Sequence, residues 1–455
     1  MKINKQIFRQ YDIRGIVDKD LTDETVTSLA KGFGTYIKRK GLRTVVIGCD
    51  CRLSSDRFKE NFSFGLKSTG CDVIDIGTVA TPVLYFSIYE LQTDAGVMIT
   101  GSHNPPEYNG FKLCVGNVSI YGDEIQKLRE LIEDDNFITG NGMLEKYENI
   151  IKDYQNYQVD GIRLNKSMKV IVDAGNGTAG PIAPDIYRRI GCKVIELYCD
   201  MDGNFPNHHP DPTVIENLTE LIKTVKQEKA DLGIAFDGDA DRIGVVDEQG
   251  NIIWGDQLLI IYARDVLKNN LGTTVISEVK SSKTLYDDIR KHGGKPIMWK
   301  TGHSLIKEKM KCTGALLGGE MSGHVFFADR YFGFDDAIYA GSRLLEILSK
   351  KDIPLSALLK DVPKMYSTPE IRDDCPDEQK FEIVEKVKNY FKTKGYEITD
   401  IDGMRITFTD GWGLVRASNT QPVIVLRFEA ETKERLNEIQ KLVMDKVQEY
   451  KSSRG

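Results

Sequence analysis

The chain has 455 residues, a length that exceeds what one hydrophobic core usually supports and that predicts three or four domains. Its residues are 40% hydrophobic and 28% charged, which is typical of a soluble globular protein, and the net charge of −7 argues against a general nucleic-acid surface. The sequence contains no stretch long enough to span a membrane and no signal-peptide pattern, and its eight cysteines follow no zinc-binding spacing. We expect a cytoplasmic protein with no nucleic-acid or membrane partner.

A repeated unit runs through most of the chain: a short apolar strand, a loop containing Gly or Asp, and an amphipathic helix. This alternation predicts βα architecture and therefore an α/β fold. Because ligands of open α/β sheets bind beyond the carboxyl ends of the strands, the loops are the candidate site segments. The clearest strands with their loops are 45–50, 170–177, 232–238, 275–280 and 315–320.

The first candidate loop, Thr100-Gly-Ser-His-Asn-Pro105, follows the apolar strand 95–99. Prolines and a glycine after that strand predict an irregular segment, with Ser102 exposed at the strand's end. His103 and Lys112 supply hydrogen-bond donors and positive charge, the surroundings that an anionic phosphoserine needs. No G-x-S-x-G elbow surrounds this serine, which disfavours a hydrolase triad. An ordinary serine in a proline-rich turn is the alternative.

The second loop, Asp237-Gly-Asp-Ala-Asp-Arg242, lies between the apolar strands 232–236 and 243–246. Carboxylates at alternate positions converge on one side of an extended chain, where their oxygens suit a hard divalent cation. Three such groups between core strands repel one another unless a positive group lies among them. The loop therefore predicts a metal site in preference to a solvated acidic turn.

A calcium EF-hand is the competing metal interpretation of this loop, with Glu248 at its twelfth position. That interpretation fails because Arg242 stands where the sharp turn needs Gly, and because strands instead of helices flank the loop. Three aspartates leave coordination positions open on Mg²⁺, which usually also binds a substrate phosphate. A phosphoserine would fill one of them, so the predicted ligand set is Ser102, Asp237, Asp239 and Asp241.

A third loop, Gly318-Gly-Glu-Met-Ser-Gly-His324, follows another apolar strand. Its carboxylate and hydroxyl suit vicinal sugar hydroxyls, although the spacing by itself favours a glycine-rich turn. From about residue 364 the pattern changes to Asp-Gly turns, an alternating strand at 423–428 and a terminal amphipathic helix, which predicts a separate α+β domain. There, Arg416-Ala-Ser-Asn-Thr420 offers a guanidinium, hydroxyls and backbone N–H groups to a phosphate, with a surface turn as the alternative.

These patterns divide the chain into four predicted domains, each carrying one of the loops. The first would hold the serine loop, the second the aspartate loop, the third the candidate sugar loop and the fourth the candidate phosphate loop. Their predicted limits are 1–147, 148–251, 252–363 and 364–455.

Taken together and in this order, the four loops resemble those of the α-D-phosphohexomutase superfamily, most closely its bacterial phosphomannomutase/phosphoglucomutase branch. The resemblance covers essentially the whole length and extends to Phe8-Arg-Gln-Tyr-Asp-Ile-Arg-Gly15, to 202–210 and to Trp299-Lys-Thr-Gly-His303. It implies four domains around one central cleft, three of mixed α/β build and a smaller C-terminal α+β domain.

The resemblance also implies a role for each candidate residue. Ser102 would be a phosphoserine, and the three aspartates would hold Mg²⁺. The catalytic set would further include His103, Arg14, Lys112 and Arg242. Glu320 and Ser322 would meet sugar hydroxyls, and the loop from Arg416 would hold the non-reacting phosphate. The full set of implied substrate contacts is Tyr11, Lys280, His303, Glu320, Ser322, His324, Arg416, Ser418, Asn419 and Thr420.

The implied activity is reversible phosphoryl transfer between the 1- and 6-positions of mannose or glucose phosphates, with hexose 1,6-bisphosphate as intermediate and activator. The expected partners are small hexose phosphates, and we expect a monomer, with a dimer as the alternative. Phosphoglucosamine mutase is the runner-up, but that branch typically carries Gln where Met321 stands. A metal-dependent sugar phosphatase and a non-enzymatic sugar-phosphate or calcium-binding protein are the rivals from other classes.

Overall fold

A computed structural model describes residues 3–418 and 422–452. Within these ranges the strands form four sheets, of seven, five, four and six strands in chain order. Each of the first three sheets contains parallel strands, whereas the pairings of the fourth are antiparallel. The prediction of three α/β units followed by an α+β unit is confirmed.

The first sheet carries the strand that leads to Ser102. Its strands are β1 (Ile13–Ile16), β2 (Thr44–Cys49), β3 (Asp72–Thr78), β4 (Ala95–Ile99), β5 (Tyr108–Val115), β6 (Val118–Ser119) and β7 (Leu144–Lys146). They lie in the order β1-β5-β4-β2-β3-β7, with β6 paired to β5. The helices of this unit are α1 (Asp23–Arg39), α2 (Ser55–Ser68), α3 (Thr81–Glu90) and α4 (Asp123–Glu133).

The second sheet carries the aspartate loop. Its strands are β8 (Lys169–Asp173), β9 (Lys193–Leu197), β10 (Leu232–Phe236), β11 (Ile243–Asp247) and β12 (Ile252–Ile253), in the order β12-β11-β10-β8-β9. The antiparallel pairing of β10 with β11 leaves residues 237–242 as the connection between two buried strands. The helices are α5 (Ile150–Gly161), α6 (Ala183–Arg189) and α7 (Thr219–Glu228).

The third sheet carries the candidate sugar loop. Its strands are β13 (Thr274–Glu278), β14 (Lys295–Trp299), β15 (Leu317–Gly319) and β16 (Val325–Phe327), in the order β14-β13-β15-β16. Glu320 follows β15 directly, in the turn that connects it to β16. The helices are α8 (Gly255–Asn269), α9 (Lys283–Lys291), α10 (His303–Thr313) and α11 (Ala337–Ser349).

The fourth sheet carries Arg416. Its strands are β17 (Tyr366–Ser367), β18 (Ile371–Asp374), β19 (Glu397–Thr399), β20 (Met404–Phe408), β21 (Gly411–Ala417) and β22 (Val423–Ala430). They lie in the order β17-β22-β21-β20-β19, with β18 also paired to β22. Two helices, α12 (Asp377–Thr393) and α13 (Lys433–Ser452), contribute to one core with this sheet.

Side-chain alternation gives the fourth sheet a second buried face. Val415 and Leu426 belong to the core shared with α12 and α13. The opposite face presents Trp412, which forms a small hydrophobic cluster with residues of the third unit. On this face the guanidinium of Arg405 lies 3.8 Å from the Trp412 ring, and Arg427 Nη1 donates to the Lys280 carbonyl at 2.5 Å. The α+β unit is thereby seated on the third unit.

The first three units share one hydrophobic core. Buried residues of α3, α5, α6, α8 and α11 belong to a single cluster. Across it, Tyr154 of α5 donates to Asp336 at 2.9 Å, and Tyr187 of α6 donates to the Ile338 carbonyl at 3.1 Å. This packing holds the loops of three units in a common arrangement.

Most predicted strands occur where the sequence placed them, but one segment differs. We expected irregular structure after Ser102, whereas β5 resumes at Tyr108 and includes Gly110. The glycine permits this, because a Cβ there would lie 2.4 Å from the Ile13 carbonyl oxygen of the adjacent strand. The domain limits stay predictions. No helix within the described ranges is both long and apolar enough to cross a membrane.

Candidate active site

Ser102 lies three residues beyond β4 in an uncommon backbone conformation. Its φ of +48° is in the left-handed region, and its N–H donates to Thr100 Oγ1 at 2.8 Å. The residue is only 2% exposed, so the prediction of an exposed hydroxyl was wrong. The aspartate loop of the second unit covers it: a Cβ on Gly238 would lie 2.6 Å from the Ser102 carbonyl oxygen.

The hydroxyl of Ser102 is directed at the aspartate loop. Its Oγ donates to Asp237 Oδ2 at 2.8 Å and lies 3.0 Å from Nδ1 of His103. Burial, with the nearby charges of Arg242 and Arg14, lowers the pKa of His103 well below its usual range, so this imidazole is neutral. Ser102 therefore stands between a carboxylate and an uncharged ring nitrogen.

The three aspartates converge as the sequence predicted. Asp237, Asp239 and Asp241 are almost fully buried, and each offers a carboxylate oxygen within 4.8 Å of the others. One oxygen of Asp239 and one of Asp241 have no hydrogen-bond partner among the residues that the structure describes. Unpartnered buried carboxylate oxygens are costly unless a cation approaches them. The donor set, all of it oxygen, fits a hard divalent metal ion.

Lys112 supplies the positive charge that the sequence required within this loop. Its ammonium donates to Asp239 Oδ2 at 2.7 Å and also bonds to Asp241. Burial opposes the charged form, but the two carboxylates outweigh it and raise the pKa of Lys112. Burial also opposes the charged form of Asp239 and so raises its pKa, but the ammonium of Lys112 outweighs burial and lowers the pKa of this aspartate. Burial and the neighbouring aspartates instead raise the pKa of Asp237 well above its usual range.

A histidine cluster adjoins the aspartates. Arg242 Nε donates to His324 Nε2 at 3.1 Å, and His324 Nδ1 lies 3.2 Å from Asp335 Oδ2. The ring of His303 stacks on that of His324 at 5.5 Å between centroids, and Lys307 donates to Asp335 at 3.0 Å. Burial and then Lys307 lower the pKa of His303 well below its usual range. The predicted residues Arg242, His303 and His324 are thus brought together beside the aspartate loop.

Arg14 brings positive charge to the serine loop from β1. Its Nε donates to Asp12 Oδ2 at 2.7 Å, and its guanidinium also bonds to the side chain of Asn104. Asn104 lies two residues after Ser102. Three predicted cations, Arg14, Lys112 and Arg242, therefore approach the serine and aspartate loops from different strands or loops, which suits an anionic group between them.

The segment Thr301–Gly302 links the candidate sugar residues. Tyr11 donates to the Thr301 carbonyl at 2.6 Å, and the Thr301 hydroxyl donates to Glu278 Oε2 at 3.1 Å. The Gly302 N–H donates to Glu320 Oε1 at 2.6 Å. A Cβ on Gly302 would lie 2.5 Å from the Tyr11 ring, so only glycine permits this approach. Burial raises the pKa of Glu320.

The fourth unit reaches the same segment through Asp402. Asp402 Oδ2 accepts from Arg416 Nε at 3.1 Å and from the Thr301 N–H at 3.1 Å. Lys280 is buried nearby and pairs with Glu370 at 3.3 Å. The charges of Arg416 and Glu320 both act on Lys280, which places the candidate sugar and phosphate residues in one region.

The remaining predicted residues are less fully defined. Ser418 follows β21 and its N–H donates to the Val423 carbonyl at 3.0 Å. Asn419 and Thr420 lie outside the described residues. Ser322 is partly exposed in the turn after β15, two residues from Glu320. Their proposed contacts with substrate stay predictions.

Three acidic residues of the site were not singled out from the sequence. Asp335 orients the histidine cluster, Glu278 bonds to the Thr301 segment, and Asp402 connects that segment to Arg416. In the sequence, Asp402 stands out only as part of one of the Asp-Gly turns, with Gly403. Each lies far along the chain from at least one of its partners, so no local spacing marked it. Only the packing of the loops reveals these contacts.

Comparisons with known proteins place the chain in a family. The descriptions "Phosphoglucomutase/phosphomannomutase, alpha/beta/alpha domain I", "domain II" and "domain III" match residues 5–139, 145–250 and 254–366, and the "C-terminal domain" matches residues 370–446. The chain belongs to the phosphoglucomutase/phosphomannomutase family. The four loops described above each fall within a different matched segment.

Individual relatives agree over nearly the whole length. A phosphomannomutase/phosphoglucomutase of Pseudomonas aeruginosa is 49% identical over 447 residues, covering 98% of this chain and 96% of the relative. A phosphoglucomutase of Neisseria meningitidis is 47% identical, covering 96% of each chain. The crystal structure of a phosphoglucomutase/phosphomannomutase family protein of Burkholderia thailandensis has a TM-score of 0.94 at 44% identity, covering 99% of this chain and 98% of that one.

The unpartnered aspartate oxygens predict metal binding that can be measured without turnover. Asp239→Asn should weaken the binding of Mg²⁺ at least about tenfold in calorimetric titration, because the loop loses a charged oxygen ligand. Asp18→Asn, at a side chain that is 67% exposed, is the matched control and should bind as the unaltered protein does. Equal Mg²⁺ affinity in the three proteins would contradict the metal assignment.

Proposed function

We propose that the protein is a phosphohexomutase that moves a phosphoryl group reversibly between the 1- and 6-positions of mannose and glucose phosphates. Ser102 would carry the phosphoryl group between turnovers. The observation that carries this proposal is the hydrogen bond from Ser102 Oγ to Asp237, at 2.8 Å, within a buried triad of aspartates. A serine so placed, with three cations nearby, is suited to hold a phosphoryl group.

The surroundings of Ser102 serve phosphoryl transfer through charge and position. Asp237, Asp239 and Asp241 would hold Mg²⁺, which neutralises developing negative charge on a phosphoryl group when it is bound. Lys112 and Arg242 direct positive charge at the same region; Lys112 is buried and Arg242 is partly buried. Fixed charges in a water-poor site need no reorganisation as the reaction proceeds, which is the main protein contribution to this chemistry.

His103 is the group we assign to the proton of Ser102. Its Nδ1 lies 3.0 Å from Oγ, and the imidazole is neutral because burial lowers its pKa. When Oγ attacks a phosphoryl phosphorus, the Oγ–H proton passes to His103, the bond from phosphorus to the sugar oxygen breaks, and that oxygen takes up a proton from solvent to become a hydroxyl. In the reverse transfer the sugar hydroxyl attacks the phosphorus and gives its proton to solvent, the bond from phosphorus to Oγ breaks, and His103 returns its proton to Oγ.

The far end of the cleft is suited to the phosphate that does not react. Arg416 and Lys280 bring two positive charges to it, and Ser418 adds a hydroxyl. Transfer from phospho-Ser102 to a hexose monophosphate gives a hexose 1,6-bisphosphate, which must turn end for end before its other phosphoryl group can return to Ser102. The same distal residues therefore accept either phosphate of the intermediate.

The substrate class follows from the polar groups near Thr301. Glu320 is buried and beside Lys280, a setting that suits sugar hydroxyls next to a phosphate. The names of the relatives, phosphomannomutase/phosphoglucomutase and phosphoglucomutase, support mannose and glucose phosphates as the proposed substrates. Met321 at the position where phosphoglucosamine mutases typically carry Gln disfavours glucosamine phosphate.

Replacing the proposed nucleophile gives the sharpest test. Ser102→Ala should remove at least about 99.9% of the mutase activity, because no other hydroxyl takes its place beside Asp237 among the described residues. Ser68→Ala, at a serine that bonds to the Gly65 carbonyl far along α2, is the control. Circular dichroism checks that both variants are folded. Wild-type turnover in Ser102→Ala would exclude the phosphoserine mechanism.

Arg416→Ala should chiefly raise KM, by about tenfold or more, and leave kcat nearly unchanged. A contact with the non-reacting phosphate is made equally in the ground state and the transition state. Arg372→Ala is the control, because Arg372 is an exposed cation of the same sheet. A large fall in kcat at constant KM would place Arg416 at the reacting phosphoryl group instead.

Mannose 1-phosphate and glucose 1-phosphate should be converted with similar kcat/KM, and glucosamine 1-phosphate poorly. The two hexoses differ only at the 2-hydroxyl, whereas Glu320 and Ser322 are proposed to meet the 3- and 4-hydroxyls that both share. Glu320→Ala should therefore weaken both reactions alike, by about 1–3 kcal/mol. Its control is Glu308→Ala, at a glutamate whose partner is Tyr121. A difference above about a hundredfold between the two sugars, or about 2.7 kcal/mol, would refute shared recognition.

A further inference from the structure

Arg52 lies in the loop after β2, directly beneath the serine loop. The residue is 3% exposed, and its guanidinium donates to four backbone carbonyls of the segment that contains the nucleophile. Nη2 donates to Ser102 O at 2.8 Å and to Asn104 O at 2.5 Å. Nη1 donates to Pro105 O at 2.6 Å and to Tyr108 O at 3.0 Å. The carbonyls of Ser102, Asn104 and Pro105 belong to the irregular turn between β4 and β5, and Tyr108 is the first residue of β5.

The fifth N–H donor of Arg52 fixes the direction of the guanidinium. Nε donates to Asp50 Oδ2 at 3.1 Å, and the same oxygen accepts from the Gly101 N–H at 3.0 Å. The other oxygen of Asp50 accepts from the Arg52 N–H at 3.0 Å and from Ser55 Oγ at 2.5 Å. A planar fork with five donors satisfies this set, whereas the three donors of a lysine ammonium cannot.

The second unit closes over the other side of Arg52. The ring of Phe205 lies 5.2 Å from the guanidinium carbon, and a Cβ on Gly203 would lie 2.8 Å from Arg52 Cα. A Cβ on Gly101 would lie 2.5 Å from the guanidinium carbon, so the serine loop rests directly on it. The first part of the segment 202–210, to which the resemblance gave no role, thus covers Arg52.

We infer that Arg52 is a positioning residue for phosphoryl transfer, and this inference rests on the proposed role of Ser102. Ser102 holds a left-handed φ of +48°, which costs free energy unless neighbouring contacts enforce it. The guanidinium holds the carbonyl of Ser102 and those that follow it, and this fixes the direction of Oγ toward Asp237. Within the described part of the chain, Arg52 bonds to neither Ser102 Oγ nor the three aspartates of the metal loop; it acts through the backbone of the serine loop.

The test compares Arg52→Lys with the unaltered protein after both have been phosphorylated with glucose 1,6-bisphosphate. The phosphoryl group placed on Ser102 carries an isotopic label. The phospho-protein is mixed with excess unlabelled glucose 6-phosphate and Mg²⁺, and the first-order loss of the labelled phosphoryl group from Ser102, where an unlabelled one replaces it, is followed by quenched-flow mass spectrometry. A first-order rate constant is independent of the fraction of protein that is active, so a partly unfolded sample does not imitate the effect. The control is Arg57→Lys, because Arg57 is a half-exposed arginine of α2 that pairs with Asp18.

We expect the rate constant of Arg52→Lys to fall about 100-fold, because a small misplacement of the reacting group lowers the rate by about this factor. The glucose 6-phosphate concentration that gives half the maximal rate should change less than about threefold. Arg57→Lys should behave as the unaltered protein does. A rate constant for Arg52→Lys within about threefold of the unaltered value would overturn the inference, and so would a fall matched by an equal rise in the half-saturating concentration.

Phe205→Leu provides a second variant that leaves the hydrogen bonds of Arg52 in place. It should lower the same rate constant about fivefold, because the guanidinium loses one packed face. If Arg52→Lys does not fold, an unchanged rate in Phe205→Leu overturns the inference. Failure of the unaltered protein to transfer phosphate from Ser102 would overturn the proposed function, and with it this inference. Transfer that is equal in the unaltered protein and in Arg52→Lys would overturn the role of Arg52 alone.

Discussion

The carboxylates of Asp237, Asp239 and Asp241 are almost fully buried and lie within 4.8 Å of one another, and this concentration of like charge constrains the groups around it. Two unit charges 4 Å apart interact by about 4 kcal/mol at an effective dielectric constant of 20. Lys112 offsets part of the repulsion through Asp239 and Asp241. One oxygen of Asp239 and one of Asp241 have no partner among the described residues, and a divalent cation would bind these oxygens. The cation that offsets the remaining repulsion would therefore be the same one that the proposed chemistry uses.

Close backbone approach is what lets separate units share this charge cluster. Gly238 brings the aspartate loop against the Ser102 carbonyl, Gly302 brings the Thr301 segment against Tyr11, and Gly203 brings the second unit against Arg52. At each of these contacts a Cβ would overlap an atom of another unit. These glycines matter chiefly because they lack a side chain, and less because their backbone is flexible. Without a Cβ they allow the short distances between loops that the proposed chemistry needs.

The fourth unit is attached differently from the other three. The first three share a continuous hydrophobic core, whereas the fourth meets the third through Trp412, through the arginines of one sheet face and through Asp402 at the cleft. Hydrogen bonds from arginine to backbone carbonyls can be exchanged for water at lower cost than apolar burial. In the proposed mechanism, this attachment suits a unit that lets the bisphosphate turn and then holds it again.

Local pattern was enough to predict the α/β class, the change to an α+β unit near residue 364, the strand 95–99 and the connection at 237–242, because strand periodicity and turn residues act over a few positions. Local chemistry also singled out Ser102 and the three aspartates, and the resemblance supplied most of the other candidate residues and their roles. The sequence could not show that Ser102 is buried, that Oγ bonds to Asp237, or that Arg52, Asp335 and Asp402 belong to the site. These contacts join distant parts of the chain, and only the packing of the sheets and the units decides which loops meet.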